Sequence, residues 1–129
     1  MKGRIEVGAA VLILQIWFAA VACAGPWEDG MTAYNRGDYV PALQVFRAMA
    51  SEGNAQAQRL LGRMYRRGQG VKRNPMRAFV WFNRAAAKGD ARANAELRRM
   101  SQSMTAEQLA EARAMMAVCE SSEYRNCPY

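Results

Sequence analysis

The chain contains no histidine and only three cysteines. Without histidine, a serine or cysteine nucleophile lacks its usual general base. A closed zinc site likewise lacks most of its usual ligands. Lysine is nearly as scarce: beyond Lys2 there are only Lys72 and Lys88, and neither sits in a Ser-x-x-Lys arrangement that could replace the missing base. Glu107 and Glu111 lie one helical turn apart and could share a proton, but a solvated pair is the better reading because nothing nearby promises burial. The glycines of Gly68-Gln-Gly70 are not a phosphate loop, since no Gly-Lys-Ser/Thr follows and the residues before them have a helical pattern. No catalytic, cofactor-binding or metal-binding residue is assigned.

Long apolar runs are confined to the N-terminus. Lys2 and Arg4 precede an apolar segment from Val7 to Val21, and Ala22-Cys23-Ala24 supplies the small residues of a cleavage site. The expectation is a signal peptide over residues 1–24, cut between Ala24 and Gly25, with the mature chain periplasmic or secreted. The run is short of the roughly 20 apolar residues that a spanning helix needs. Membrane contact is then limited to this segment before cleavage. The alternative is lipid attachment at Cys23, although Ala20 stands where a lipoprotein box prefers leucine.

Loss of Lys2, Arg4 and Glu6 with that segment lowers the net charge from +7 to +6, almost all of the positive charge being arginine. Such a surface could attract acidic partners, but arginine spread over solvated helix faces is the preferred explanation. Cys119 and Cys127 remain as an even pair. In an oxidising compartment they are expected to form a disulfide, closing a loop worth about 2.5 kcal/mol by chain entropy.

What the chain does have is an internal repeat. Residues 41–64 laid over 77–100 give matches at Ala42/Ala78, Phe46/Phe82, Ala50/Ala86, Gly53/Gly89, Ala55/Ala91, Ala57/Ala93, Leu61/Leu97 and Met64/Met100, a period of 36. A period of this size, filled with helical patterns, signals a helix-pair repeat. Trp27, Met31 and Tyr34 form one apolar stripe, closed by Tyr34-Asn-Arg-Gly37 much as Tyr65-Arg-Arg-Gly68 closes a later one. Asp38 is placed to cap the next helix, with Pro41 in its first turn. That helix carries Ala42, Val45, Phe46, Met49 and Ala50, matched one period later by Ala78, Trp81, Phe82, Ala85 and Ala86. These wide stripes require burial and are read as core. Gly53 and Gly89 end their helices, and Asn54 and Asp90 cap the next ones across connections so short that neighbours must pack antiparallel. Between these two helices of the repeat, about 54–67 form another with Ala57, Leu61, Met64 and Tyr65 buried. Gly62 costs this helix about 1 kcal/mol against alanine, a cost that close approach of a neighbouring helix would offset. Asn74-Pro75 starts the following helix after the Gly68-Gln-Gly70-Val71 loop.

The ordered set Ala57-Gln58, Leu61-Gly62, Met64-Tyr65, Gly68-Gln-Gly70-Val71, Ala78, Trp81-Phe82, Ala85-Ala86 and Gly89-Asp90 resembles the Sel-1-like repeat, a relative of the tetratricopeptide repeat. The likeness extends over roughly residues 37–100. It implies an all-α fold, a short α/α solenoid, whose members mostly act as adaptors holding partner proteins, many of them exported in bacteria. Related cysteine-rich repeat proteins have been linked to β-lactam binding or hydrolysis, but their cysteine pairs lie inside each repeat and this chain has none there. A β-lactam-active enzyme is kept only as a remote alternative.

After residue 90 the pattern fades. Arg98 stands for the expected small residue and Ser101 for the aromatic, which marks the end of the array. Thr105-Ala-Glu-Gln108 reads as a capping box, with Met104 and Leu109 as its staple. Leu109, Ala112, Met116 and Cys119 share one face of the last helix. The expected organisation is thus a signal peptide (1–24), a repeat region (25–103), a capping helix (104–120) and a disulfide-tied tail (121–129).

Arg59, Arg63, Arg66 and Arg67 share much of one helix face and form the candidate interaction face. As guanidinium groups they could grip carboxylates or phosphates bidentately, although a solvated face opposite the core stripe is the simpler explanation. The aromatic residues all fall on core stripes, so no stacking platform for nucleic acid is expected. The function expected is non-enzymatic protein–protein interaction in the bacterial envelope, with a protein partner and no nucleic acid. Binding of anionic polymer or lipid by charge is the alternative, and self-association could cover an open edge of so short a solenoid.

Overall fold

The computed structural model describes residues 3, 24–122 and 127. The basic region and apolar run before Ala24, together with Cys23 and most of the tail after Ser122, lie outside the described residues. Within them the chain is all-helical: α1 (Pro26–Arg36), α2 (Tyr39–Ser51), α3 (Ala55–Arg67), α4 (Pro75–Ala87), α5 (Ala91–Ser103) and α6 (Ala106–Ser121). Among the described residues no helix is long and apolar enough to cross a membrane.

Successive helices pack on one another from α1 through α5, and α6 folds back onto α4. This is a short α/α solenoid of two helix pairs, α1–α2 and α3–α4, continued by α5 and closed by α6 as a cap on α4. Phe46 and Phe82 sit in the second helices of the two pairs, both fully buried. Each meets a glycine of the first helix in its own pair. A Cβ on Gly62 would lie 2.8 Å from Phe82, and one on Gly30 would lie 2.9 Å from Phe46. Bare backbone at these two points lets the helices of each pair close on an aromatic ring. The offset expected for Gly62 is therefore present, and Gly30, which no sequence pattern had marked, does the same.

The 68–74 connection packs on the first pair. Gly70 has φ +70°, and a Cβ there would come within 2.8 Å of the Tyr39 carbonyl oxygen, so both conformation and space demand glycine. The Tyr34 hydroxyl donates to Gln69 Oε1 at 3.0 Å, tying α1 to the same loop.

Helix starts follow side-chain capping at most places. Asn54, Asn74 and Asp90 accept from the N–H groups of Ala57, Arg77 and Ala93, and Thr105 with Gln108 forms a reciprocal capping box. Asp38 departs from expectation: its side chain makes no cap hydrogen bond. Only Gly37 and Asp38 separate α1 from α2, and this abrupt reversal leaves Asp38 at ψ 69° rather than extended, while its N–H donates back to the Ala33 carbonyl.

The core is fuller than the stripes predict. Leu43 and Val80 are buried beside the expected residues, while Val45, Met49 and Ala86 are only partly so. Gln58 is wholly buried, donating from Nε2 to the Ala50 carbonyl at 3.1 Å across the α2–α3 joint. Of the remaining repeat positions, Ala57, Leu61, Gly62, Tyr65, Ala78, Trp81 and Ala85 are buried. Gly68 and Gly89 have positive φ at their helix ends. At the far end a disulfide joins Cys119 to Cys127, both buried. Arg84 lies over the Trp81 ring at 4.7 Å and donates from Nη1 to Cys127 Sγ at 3.4 Å, so α4 holds both the cap and the bridge.

Candidate interaction groove

Three concavities among the described residues bear on a candidate site. One, of about 440 Å³, lies between the end of α2, α4 and the cap, and its rim balances Glu52 and Glu120 against Arg84 and Lys88. A second, of about 340 Å³, sits at the start of α4. There Arg47 donates to the Tyr65 hydroxyl at 3.0 Å and Arg77 lies over the Tyr65 ring, so two of its cations serve the fold. The third, about 260 Å³, runs between α3 and α5 and contains most of the arginines singled out from sequence.

Those four arginines divide into two kinds. Arg59 Nε is 2.9 Å from Asp90 Oδ2, with both side chains largely buried. Arg66 pairs with Glu96 and lies over the Phe82 ring. These two fasten the start and the end of α3 to α5. Arg63 and Arg67 instead face the third concavity, and neither makes an ion pair among the described residues. Opposite them stand Arg92 and Arg99 of α5, with Ala95 and Glu96 between. Arg99 reaches Glu96 only at 3.8 Å and remains 74% exposed. The four-arginine helix face thus becomes two structural rungs and half of an inter-helix groove. Arg92 and Arg99 were not visible as members of it, because their contribution depends on how α3 and α5 align.

Asp90 illustrates how the rungs work. Burial acts to raise its carboxyl pKa, but hydrogen bonds from the Ala93 N–H and Arg59, the Arg59 charge and a further bond from the Arg92 N–H outweigh this and hold it below the ordinary carboxylate range. One carboxylate caps α5 and anchors α3 at the same time. Elsewhere Glu107 and Glu111 are both exposed on α6. Among the described residues no group of three or more histidine, cysteine or acidic side chains is placed to hold a metal.

The family model of the Sel1 repeat matches residues 55–90, which comprise α3, the glycine loop, α4 and the turn into α5. The match shows a Sel1 repeat over that segment. No curated protein matches the chain.

Proposed function

We propose that this chain, built around a Sel1 repeat, is an exported adaptor that holds a partner protein against the groove between α3 and α5. Sel1 repeats are generally protein–protein interaction modules and typically non-enzymatic scaffolds. The observation that carries the reading to a particular surface is the groove itself. Its arginines stand on α3 and α5, while the two nearby acids, Asp90 and Glu96, are already engaged. Export to the bacterial envelope, either periplasmic or beyond the cell, is supported by the N-terminal apolar segment and by the disulfide, a bond that persists in oxidising compartments.

The experiment is crosslinking in intact cells followed by mass spectrometry, comparing the wild type with Arg63→Glu/Arg67→Glu. Loss of specific protein adducts from the reversed protein is expected. An identical adduct set would remove the groove from the account.

A second reading, charge-driven binding of anionic polymer or lipid, draws on the +7 net charge. The two separate by salt. Polyanion binding falls linearly and steeply on a log–log salt plot, whereas a protein interface with an apolar centre weakens only modestly. Sustained turnover of a chromogenic β-lactam by purified protein would instead revive the enzymatic alternative.

A further inference from the structure

We infer that the groove between α3 and α5 takes an extended, acidic segment of the partner, with Arg63, Arg67, Arg92 and Arg99 reading its carboxylates. The inference rests on the adaptor reading above and adds the chemistry of what is bound.

Charge balance makes the first argument. Six arginines (59, 63, 66, 67, 92 and 99) border or brace the groove, against two carboxylates, Asp90 and Glu96. Both acids are committed to Arg59 and Arg66. The groove therefore carries four positive charges without a full internal counter-charge. Arg63 and Arg67 are four residues apart on one helix, a like-charge spacing that works against the helix. An incoming carboxylate relieves that repulsion and forms the bidentate pair that a guanidinium fork favours.

Spacing makes the second. The rungs Arg59–Asp90 and Arg66–Glu96 show that α3 and α5 run the same way, in nearly matched register. Arg63 and Arg67 then fall between the levels of Arg92 and Arg99. Arg92 and Arg99 are two helical turns apart, about 10 Å, and Arg63 and Arg67 are about 6 Å apart. Same-face side chains of an extended chain recur every 6–7 Å or so. Acidic residues at alternate positions of a short extended segment thus match the arginine ladder.

The occupant is a protein segment rather than a nucleic acid. No aromatic ring lines the groove, so bases have nothing to stack on. Ala95, among the lining residues, offers apolar contact to a peptide.

The test is fluorescence anisotropy on the purified protein with three probes. These are a labelled peptide with glutamate at alternate positions, its glutamine counterpart, and a single-stranded oligonucleotide of equal charge. The variants are Arg92→Gln/Arg99→Gln in the groove and, as a control, Arg36→Gln/Arg113→Gln at exposed positions outside it. The glutamate peptide is expected to bind and the glutamine peptide not to. The groove variant should weaken binding about tenfold while the control changes little. Equal loss in both variants, no peptide binding by the wild type, or oligonucleotide binding as tight as the peptide's would each overturn the inference. Failure with the peptide, combined with specific protein adducts in cells, leaves the adaptor reading standing without this groove. Peptide binding through these arginines, combined with no protein adducts in cells, upholds the groove chemistry and removes the adaptor.

Discussion

The two helix pairs α1–α2 and α3–α4 reach the same packing by unequal means. Both bury a phenylalanine of the second helix against a bare backbone position of the first, Phe46 on Gly30 and Phe82 on Gly62. The residues between each glycine and its ring differ by four, and the extra turn is taken up by the longer 68–74 connection. The second pair and its neighbour α5 add capped helix starts at Asn54, Asn74 and Asp90, and ion-paired rungs to α5. The first pair has a two-residue reversal, and neither of its helix starts carries a side-chain cap. The lesson is that the aromatic-on-glycine contact defines the layer, while caps and rungs fasten one layer to the next. Only the layer that also carries the caps falls within the Sel1 match.

The strongest way to break this equivalence is to remove the rings. Phe82→Ala and Phe46→Ala should each cost about 3–5 kcal/mol, measured by urea denaturation. If Phe46→Ala cost less than about a third of Phe82→Ala, the first pair would be a loosely held satellite rather than a true layer.

Filling the bare backbone comes next. Gly62→Ala and Gly30→Ala each gain about 1 kcal/mol of helix propensity. The new Cβ would nevertheless meet a buried ring, and overpacking of this kind costs about 1–3 kcal/mol. Both variants should lower the melting temperature, and a net gain in either would show that the ring moves aside freely.

The caps should separate the pairs instead of uniting them. Asn54→Ala or Asn74→Ala should cost about 1 kcal/mol, whereas Asp38→Ala should change stability little, because Asp38 makes no cap hydrogen bond. An equal loss at Asp38 would mean that it caps in solution.

The smallest effect is one of pH. The Asp90 carboxyl is held below its ordinary value, so its contribution is present above the unfolded-state pKa, about 3.9, and is lost as pH falls through the lower folded value. Asp90→Asn should therefore flatten the acid limb of the stability curve below about pH 4, and leave its shape near neutrality unchanged. An acid limb identical to that of the wild type would detach Asp90 from the α3–α5 joint.

Much of this architecture is legible along the chain because it depends on local chemistry. The 36-residue register, the glycine helix ends, the asparagine and aspartate caps and the threonine–glutamine box are all short-range patterns with a fixed physical meaning. Gln58 lay inside the motif, yet its burial could not be foreseen, since its partner is a carbonyl on another helix. Leu43 and Val80 sit just outside the main stripes and are nevertheless buried. Gly30 falls four residues out of step with Gly62, so a fixed period hides it. The groove was half legible. Four arginines on one face were plain, but their division into rungs and free groups was not, because Asp90 and Glu96 meet them only through tertiary alignment.

The most direct test of a stacked solenoid that works through its open arginine groove is site-specific photocrosslinking in living cells, with the probe at Ala95 in the groove lining or at exposed Thr32 on α1. The groove predicts discrete protein adducts from position 95 that disappear when Arg63 and Arg67 are reversed to glutamate, with few from position 32. Adducts of equal yield from both positions, or a position-95 adduct untouched by the reversal, would contradict it.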